Sequence, residues 1–361
     1  MKVLIISMFP KEEVPYIKFY TDELEKSKTD YDVFFWNREY TATTQKVKNE
    51  IFFNLECKMG GKKHKKIFKM LKYATTIRKE ARSSEYTHII VLTTVPGMFI
   101  FDVLLRKYRQ KYIFDIRDYT NESNSIYYAI EKKLIFNSAF TTISSRGFEK
   151  FLPKYPYILT HNISNETGLI DDIEDLRKKD NIVIGFVGNV RYPNENEQLI
   201  RQMSKNGRFK IAYWGKTTVD FDRFIEHENY QDVDFHGKFI NEEKDNIYQE
   251  IDMINAIYGS NGLEVTTAIP NRFYDSLIFK KPIISSKDTY LGELVENYGI
   301  GLTVDVLHED IEEKISNYVN TFDKDDFLRR SNIALKQILD EQTQFSEAVD
   351  NFLNNEIKEK L

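Results

Sequence analysis

The sequence predicts an α/β protein composed of two doubly wound parallel-sheet domains in tandem. Short runs of β-branched and aromatic residues alternate with longer helical stretches, and strands separated by helices need crossover connections and so form parallel sheets. The alternation begins at Lys2–Ser7 and restarts at Asn181–Val187 with a run of similar strength. A chain of 361 residues is too long for one ordinary core and about right for two.

The first half of the chain supplies the predicted first domain, residues 1–165. Its candidate strands are short and rich in β-branched and aromatic residues: Lys2–Ser7, Tyr31–Trp36, His88–Thr93, Lys111–Asp115, Phe140–Ile143 and Tyr157–Leu159. Its candidate helices are Ile17–Ser27, Lys63–Ser83, Met98–Tyr108, Ile126–Asn137 and Ser145–Leu152.

The second half repeats this architecture in the predicted second domain, residues 166–343. The polar stretch Ile163–Asp180 has no aromatic residue and is the predicted linker. The segment Asp325–Leu361 is predicted as two successive helices. The last helix, 344–361, is expected to rejoin the first domain. Ligands of such domains bind at the carboxyl ends of the strands. The candidate strands are Asn181–Val187, Phe209–Trp214, Val233–His236, Met253–Ile257, Pro282–Ser285 and Leu302–Val304, with a helix at Glu195–Lys205 after the first.

Composition excludes several classes of protein. With 41% hydrophobic and 30% charged residues the chain is that of a globular protein, and its single cysteine, Cys57, excludes an intramolecular disulfide and favours a reducing cytosol. The longest apolar stretch, Val95–Leu105, is interrupted by Gly97 and Asp102 and is too short to span a bilayer. The sequence therefore predicts a cytoplasmic protein without a transmembrane helix.

Charge is distributed unevenly between the two halves. Residues 1–165 hold 28 basic and 18 acidic residues, whereas the remainder holds 23 basic and 38 acidic ones. Within the segment Lys58–Arg82 there is one acid, Glu80, and apolar residues recur at helical spacing. Such a helix fits an anionic membrane surface; a helix packed on the sheet with solvated lysines is the alternative, and nucleic acid is disfavoured because no recognition motif accompanies the charge. The basic residues are Lys58, Lys62, Lys63, Lys65, Lys66, Lys69, Lys72, Arg78, Lys79 and Arg82, and the apolar face is Ile67, Met70, Leu71, Ala74 and Ile77.

A glycine turn follows the first strand of the second domain. The strand ends at Val187, Gly188 permits a sharp turn, and Arg191 precedes Pro193, which can begin a helix. A turn into a helix N-terminus presents backbone N–H groups to an anion, and an arginine adds a fork for a phosphate. A plain strand-to-helix turn with a solvated arginine is the alternative.

A second polar cluster opens a later helix. Pro270 can start this helix, Asn271 and Asp275 share one face four residues apart, and Arg272 lies beside them. A carboxylate there could accept hydrogen bonds from ribose hydroxyls while the arginine reaches a diphosphate. An amphipathic helix with an ordinary Arg–Asp pair is the alternative.

These motifs resemble the GT-B glycosyltransferases, two Rossmann-like domains facing across a cleft. The likeness is closest to the large retaining family that includes many bacterial capsule and exopolysaccharide enzymes, and it covers nearly the whole chain as an ordered set of loose motifs. In the second half the motifs are Gly188–Arg191, Pro270–Asp275, Lys281–Ile284 and Asn297–Val304. In the first half they are Tyr112–Tyr119, Thr142–Ser145 and His161–Asn162.

The resemblance implies a role for each matching residue of the second domain. Arg191 and Arg272 would neutralise the donor diphosphate, and Asp275 stands where the family usually has a glutamate that holds the ribose. An earlier acidic residue of the family falls near Thr267, which is not acidic, and Glu264 lies three positions away. The implied donor-binding residues are Gly188, Asn189, Arg191, Asn271, Arg272 and Asp275, with Phe239 and Ile240 beside the base.

The resemblance implies transfer without a metal or other cofactor, because arginines and helix N-termini stabilise the leaving diphosphate. The six histidines are scattered, and Asp220 and Asp222 form a D-x-D string in a polar helical stretch that we discount as a metal site.

The first domain has one candidate catalytic residue. Asp118 is expected to contact the acceptor hydroxyl or act as base, because Asp115 is still within the strand. An aspartate that caps a helix or pairs with Arg117 is the alternative, and His161 could face the same cleft.

The predicted protein is therefore a hexosyltransferase, expected to be retaining, that moves sugar from a nucleotide donor, expected to be a UDP-sugar, to a glycan. The acceptor is expected to be a growing, lipid-linked surface polysaccharide, and the enzyme to lie on the inner face of the cytoplasmic membrane through residues 58–82. A nucleotide-sugar epimerase of the same fold and a non-catalytic partner subunit are the alternatives.

Overall fold

A computed structural model describes residues 1–38, 48–57, 63–163, 172–204, 207–228, 230 and 232–354. The chain divides into two compact units. The N-unit contains Met1–His161 and the segment that begins at Glu341, and the C-unit contains Asn162–Asp340. The sequence placed the corresponding boundaries at 165/166 and 343/344.

The N-unit is built on a parallel sheet of seven strands in the order β3-β2-β1-β4-β5-β6-β7. The β4 and β5 strands are buried along their whole length, as expected for a sheet covered by helices on both faces. The strands are β1 Lys2–Ile6, β2 Asp30–Asn37, β3 Glu50–Asn54, β4 His88–Leu92, β5 Tyr112–Ile116, β6 Phe140–Ile143 and β7 Ile158–Leu159.

Helices cover this sheet and close its core. They are α1 Lys18–Lys26, α2 Lys63–Ala81, α3 Thr94–Phe99, α4 Phe101–Lys107 and α5 Ser125–Asn137. One core cluster also receives Phe345, Val349 and Phe352 from the end of the chain, and Phe345 meets Tyr20 edge to face with ring centroids 5.2 Å apart. These contacts tie the C-terminal segment to the N-unit.

The C-unit has a parallel sheet of six strands in the order β10-β9-β8-β11-β12-β13. Its strands are β8 Ile182–Val187, β9 Phe209–Trp214, β10 Val233–Gly237, β11 Met253–Ala256, β12 Ile283–Ser286 and β13 Gly301–Val304. The helices are α6 Pro193–Met203, α7 Val219–Glu228, α8 Lys244–Glu250, α9 Leu263–Thr266, α10 Asn271–Ile278, α11 Tyr290–Tyr298, α12 Ile311–Asn320 and α13 Lys324–Leu353. Both units therefore show the doubly wound α/β architecture that the sequence predicts.

The structure differs from the predicted elements at four places. The predicted helix Ser145–Leu152 is a 3-10 helix, Arg146–Lys150. The sequence reading missed β3, a short partly buried edge strand. The predicted helix Met98–Tyr108 is two helices, α3 and α4, separated at Ile100. The prediction of two helices from Asp325 is wrong, because the single helix α13 runs to Leu353 without a break.

Two further predictions fall partly outside the described residues: the linker, at positions 164–171, and the last predicted helix, at positions 355–361. The described remainder of the linker holds a short 3-10 turn, Leu176–Lys178. The described part of the chain has no helix with both the length and the apolar character needed to cross a bilayer.

Candidate nucleotide-binding site

Three glycines end three neighbouring strands of the C-unit. Gly188, Gly215 and Gly237 follow or close β8, β9 and β10, with φ angles of 131°, 140° and 75° that favour glycine. The Gly188 N–H donates to the carbonyl of Trp214 at 2.7 Å, and a Cβ on Gly215 would lie 1.9 Å from the Gly188 carbonyl oxygen. The strand ends can approach this closely only because no side chain stands between them.

Arg272 lies against this glycine edge. Pro270 precedes α10 in an extended conformation and Arg272 is the second residue of the helix, so its side chain points back over the end of β8. The guanidinium carbon lies 3.6 Å from the ring centroid of Phe186 and 5.2 Å from that of Tyr258. A Cβ on Gly188 would lie 2.7 Å from Nη2 of Arg272, so the absent side chain makes room for the guanidinium.

The charge of Arg272 has no protein counter-ion in the described part of the chain. Its side chain is buried, Nε has no hydrogen-bond partner, and no described residue forms an ion pair with it. Burial lowers the pKa of Arg272 to about 10 despite the opposing effects of Tyr248 and Asp275, and the positive charge of Arg191 acts in the same direction as burial. A buried unpaired cation is costly, and an anionic ligand would remove that cost.

The loop after β8 adds further groups suited to an anion. Asn189 and Arg191 are exposed, and the Val190 N–H between them is held by the Lys216 carbonyl at 2.8 Å. Pro193 is the first residue of α6, and no side chain caps this helix. The first-turn N–H groups of α6 thus have no side-chain acceptor from the capping position, which leaves them for a ligand.

Asp275 is held by two protein donors. The Lys244 ammonium lies 3.0 Å from each carboxylate oxygen, and the Tyr248 hydroxyl donates to Oδ2 at 2.7 Å. Asp275 therefore pairs with Lys244 and not with Arg272, its near neighbour on α10. Its contact with a ribose stays a prediction. Asn271, at the start of α10, is exposed and accepts from the Asn162 amide at 3.0 Å.

The segment after β10 contains the two residues predicted beside the base. Phe239 packs partly against the C-unit core, and its backbone N–H and C=O have no hydrogen bond within the described residues. Ile240 exposes 61% of its surface, and its backbone N–H donates to the Glu243 carboxylate at 2.9 Å. Among the described residues, the backbone of Phe239 is therefore available to hydrogen bond with a base. The N–H of Ile240 is already engaged, and Ile240 can contribute an exposed side chain.

The N-unit candidates separate into a buried pair and an exposed aspartate. Asp115 is fully buried and accepts two hydrogen bonds from Arg117, at 2.8 and 2.9 Å, and one from Tyr20 at 2.8 Å. Asp115 therefore has the pairing role that the sequence left open. Asp118 lies three residues further on, in the exposed loop after β5, and its catalytic role stays a prediction. His161 is buried, with Nε2 2.8 Å from Glu341.

The basic helix α2 has two apolar faces. Tyr73, Ala74 and Ile77 are buried against the N-unit. Ile67 and Leu71, which the sequence placed on the same apolar face as Ala74 and Ile77, are exposed by 58% and 56%, and Phe68 beside them by 61%. Lys58, Lys62 and the side chains of Lys63 and Lys65 lie outside the described residues.

Several features of the site left no signal in the sequence. The aromatic platform under Arg272 joins Phe186 to Tyr258 across β8 and the end of β11, and the tight contact of Gly215 with Gly188 depends on strand pairing. Ser286 fixes the turn after β11 by accepting from the Tyr258 N–H at 2.9 Å. In the described part no three His, Cys, Asp or Glu side chains group as metal ligands, and metal-independent transfer stays a prediction.

Comparison with known proteins gives the fold. No protein-family profile matches the chain, and no curated protein is similar in sequence. Solved structures match over nearly the full length, and they place the chain in the GT-B fold class. Among them is sucrose-phosphate synthase from Thermosynechococcus elongatus, with a TM-score of 0.73, 11% identity, and coverage of 98% of this chain and 100% of that one.

Two further solved structures match over a similar length. HepE from Anabaena, in complex with UDP and glucose, has a TM-score of 0.64 and 12% identity, with 97% of this chain and 100% of that chain covered. The lipopolysaccharide outer core galactosyltransferase WaaB, in its apo form, has a TM-score of 0.60 and 12% identity, with coverage of 99% and 100%. The TM-scores and the coverage show a shared fold, and at identities this low the comparison shows nothing about function.

Proposed function

We propose that the protein is a glycosyltransferase that moves a hexose from a nucleoside diphosphate donor, a UDP-sugar, to a lipid-linked surface polysaccharide of a bacterial capsule type. Transfer proceeds with retention and without a metal ion. The resemblance of the motifs and the GT-B fold support this activity, and HepE, a structure of the same fold, is complexed with UDP and glucose.

Arg272 is the observation that carries the proposal. A buried guanidinium with no ion pair to any described residue, set over an aromatic ring and against a glycine turn, is suited to a diphosphate that supplies the missing charge. Arg191 and the uncapped N-terminus of α6 add positive potential beside the same turn. A structural role would give Arg272 a carboxylate, and the nearest acidic residue on its own helix, Asp275, is engaged by Lys244 and Tyr248.

These groups would act on the leaving group of the reaction. The bond between the anomeric carbon and the diphosphate oxygen breaks, and the electron pair stays on the diphosphate. Arg272 and Arg191 stabilise that developing negative charge, which is the role proposed for a metal in other transferases. The acceptor hydroxyl forms the new bond to the anomeric carbon and gives its proton to a base.

Asp118 is the proposed contact for the acceptor hydroxyl. Asp118→Asn preserves size and hydrogen bonding but cannot accept a proton, so kcat should fall by about 10²-fold or more while the affinity for UDP stays unchanged. Equal losses in kcat and in UDP affinity would instead indicate a structural role. Asp22→Asn, which removes one carboxylate elsewhere in the N-unit, is the control.

The exposed apolar trio of α2 supports binding to an anionic membrane. Ile67, Phe68 and Leu71 are exposed next to Lys66, Lys69 and Lys72, and basic residues near an anionic bilayer contribute about 1 kcal/mol each. Replacing Phe68 and Leu71 with glutamine should reduce sedimentation with phosphatidylglycerol vesicles. Retention on those vesicles at the wild-type level would contradict this part of the proposal. Phosphatidylcholine vesicles control for charge-independent binding.

Nucleotide binding tests the proposed activity. UDP, GDP, ADP and CMP are compared by thermal shift on the wild type, Arg272→Gln and the charge-matched surface control Arg223→Gln. We expect stabilisation by UDP in the wild type and in Arg223→Gln, and its loss in Arg272→Gln. Absence of a shift with every nucleotide, in folded protein, would favour the non-catalytic subunit. Conversion of a UDP-sugar to its epimer without an acceptor would favour the epimerase.

A further inference from the structure

The N-unit holds a second arginine with the features of Arg272. Arg38 directly follows β2, at the carboxyl edge of the sheet, and its guanidinium carbon lies 4.8 Å from the ring centroids of both Phe9 and Trp36. The Trp36 indole is fixed by donation to the Leu55 carbonyl at 2.9 Å. The aromatic rings hold the guanidinium in place without supplying a negative charge.

Arg38 also lacks a counter-ion in the described part of the chain. Its Nε is buried without a partner, and only Arg272 shares this property among the arginines in that part. No described residue forms an ion pair or hydrogen bond with its guanidinium, whereas the partly buried Arg78 of the same unit donates to Asp102 at 2.7 Å. Burial lowers the pKa of Arg38, as it does for Arg272. An arginine kept in this state is suited to an anion that comes from outside the chain.

The basic helix α2 lies beside Arg38. Tyr73 of α2 stacks on Trp36 with ring centroids 4.9 Å apart, and its hydroxyl donates to the Ser7 carbonyl at 2.9 Å. Lys69 is four residues before Tyr73 on the same face of the helix, and its ammonium donates to the carbonyl of Glu56, the residue after the Leu55 that holds Trp36. The exposed trio Ile67, Phe68 and Leu71 lies on the same helix, within two turns of Tyr73. Arg38 therefore adjoins the helix that is proposed to contact the membrane.

We infer that Arg38 binds a phosphate group of the acceptor, with Lys69 as a second cation. This inference rests on the proposed function and adds the acceptor's chemical class: a glycan that carries a phosphate monoester, phosphodiester or diphosphate. The planar guanidinium fork matches two phosphate oxygens, and the rings of Phe9 and Trp36 fix its plane. The phosphate can belong to a lipid linkage or to a soluble sugar phosphate, two sources that experiment separates.

Trp36 provides the reporter for the test. The chain has two tryptophans, so a Trp214→Phe background leaves the fluorescence of Trp36 alone. The probes are octyl phosphate below its micellar concentration, inorganic phosphate, and octyl glucoside as the uncharged match. Arg38→Gln removes the charge, Arg38→Lys keeps the charge and removes the fork, and Arg109→Gln removes an exposed charge from the same unit. Each variant is first checked for folding by thermal unfolding.

The expected result is saturable binding of octyl phosphate, weakened about tenfold or more in Arg38→Gln, less in Arg38→Lys, and unchanged in Arg109→Gln. Tighter binding of octyl phosphate than of inorganic phosphate assigns the group to a lipid linkage, and equal binding assigns it to a soluble sugar phosphate. Binding that is absent, or equal in Arg38→Gln and wild type, overturns the inference. If the wild type binds octyl phosphate but does not bind UDP, the result would count against the proposed donor site and not against the role of Arg38.

Discussion

Arg117 of the N-unit and Arg272 of the C-unit are equally buried, with 7% and 6% of their surfaces exposed, but they differ in their partners. Arg117 donates twice to Asp115 and lies 4.1 Å from the ring centroid of Tyr16. Arg272 lies on Phe186 and has no counter-ion in the described part of the chain. Arg117 therefore forms an ion pair with a carboxylate of its own chain, whereas Arg272 forms none with the described residues.

The pKa values move in opposite directions for this reason. Burial alone would lower the pKa of Arg117, but the charge and hydrogen bonds of Asp115, together with the nearby Tyr20 and Tyr16, outweigh burial and raise it. At Arg272 burial outweighs the opposing effects of Tyr248 and Asp275, neither of which bonds to the guanidinium, and the pKa falls to about 10. A buried cation contributes to stability when the chain completes its pair, and it favours a ligand when the chain does not. The predictions below test this distinction.

The largest expected effect is on stability, at Arg117. Arg117→Leu leaves the carboxylate of Asp115 buried without its bidentate partner, and loss of one member of a buried pair costs about 3–5 kcal/mol of unfolding free energy. Urea denaturation measures this loss. Arg146→Leu, at an exposed position of the same unit, is the control and should change stability by less than about 0.5 kcal/mol. A loss at Arg117 no larger than the control's would remove the contrast between the two arginines.

A buried carboxyl of the N-unit extends the comparison to acids. Glu131 is fully buried, and burial together with the nearby Glu122 raises its pKa to about 8 from an ordinary value of 4.5. The folded protein therefore retains a proton that the unfolded chain has released between these two values. Stability should fall as pH rises through this window, by up to about 1.4 kcal/mol per pH unit.

Glu131→Gln tests this pH dependence because glutamine resembles the protonated acid. The variant should lose less stability than the wild type between about pH 6 and pH 8, with a difference of about 2 kcal/mol. Urea denaturation at each pH provides the measurement, and Glu149→Gln, at a half-exposed position, is the control. Parallel pH profiles for the wild type and Glu131→Gln would show that Glu131 titrates normally.

A smaller effect is expected at Gly188. An alanine there would place Cβ 2.7 Å from Nη2 of Arg272 and would keep a φ of 131° that disfavours side chains. Stability should fall by about 1 kcal/mol, and UDP affinity should fall as well because the guanidinium is displaced. Gly207→Ala is the matched control, since a Cβ there meets no atom within 4 Å. Unchanged UDP affinity in Gly188→Ala would separate the glycine turn from the donor site.

The strands and the glycine turn could be predicted because their signals are local. Runs of β-branched residues mark the strands, and Gly188 and Pro193 mark the turn and the helix start. The edge strand β3 was missed, since its three apolar residues, Ile51 to Phe53, follow a polar segment and carry no alternation. The single helix α13 was divided in the prediction because no local signal shows that a 30-residue helix continues from one unit into the other.

The partners of the buried arginines could not be predicted in this way. In the sequence Arg117 follows an aspartate by two positions and Arg272 precedes one by three, so both patterns allow an ordinary Arg–Asp pair. Asp115 makes that pair, whereas Asp275 is engaged by Lys244, 31 residues away in the chain. Which cation a carboxylate meets depends on how α8 and α10 pack, and this information is not local.

The most direct test combines stability with binding in a single variant. Arg272→Gln removes a charge that forms no ion pair with any residue the structure describes, so its unfolding free energy should stay within about 1 kcal/mol of the wild type or exceed it. Titration calorimetry should show UDP binding weakened at least about tenfold, whereas Arg117→Lys, where it folds, should bind UDP normally. A large loss of stability with UDP affinity retained would contradict the account and make Arg272 a structural residue.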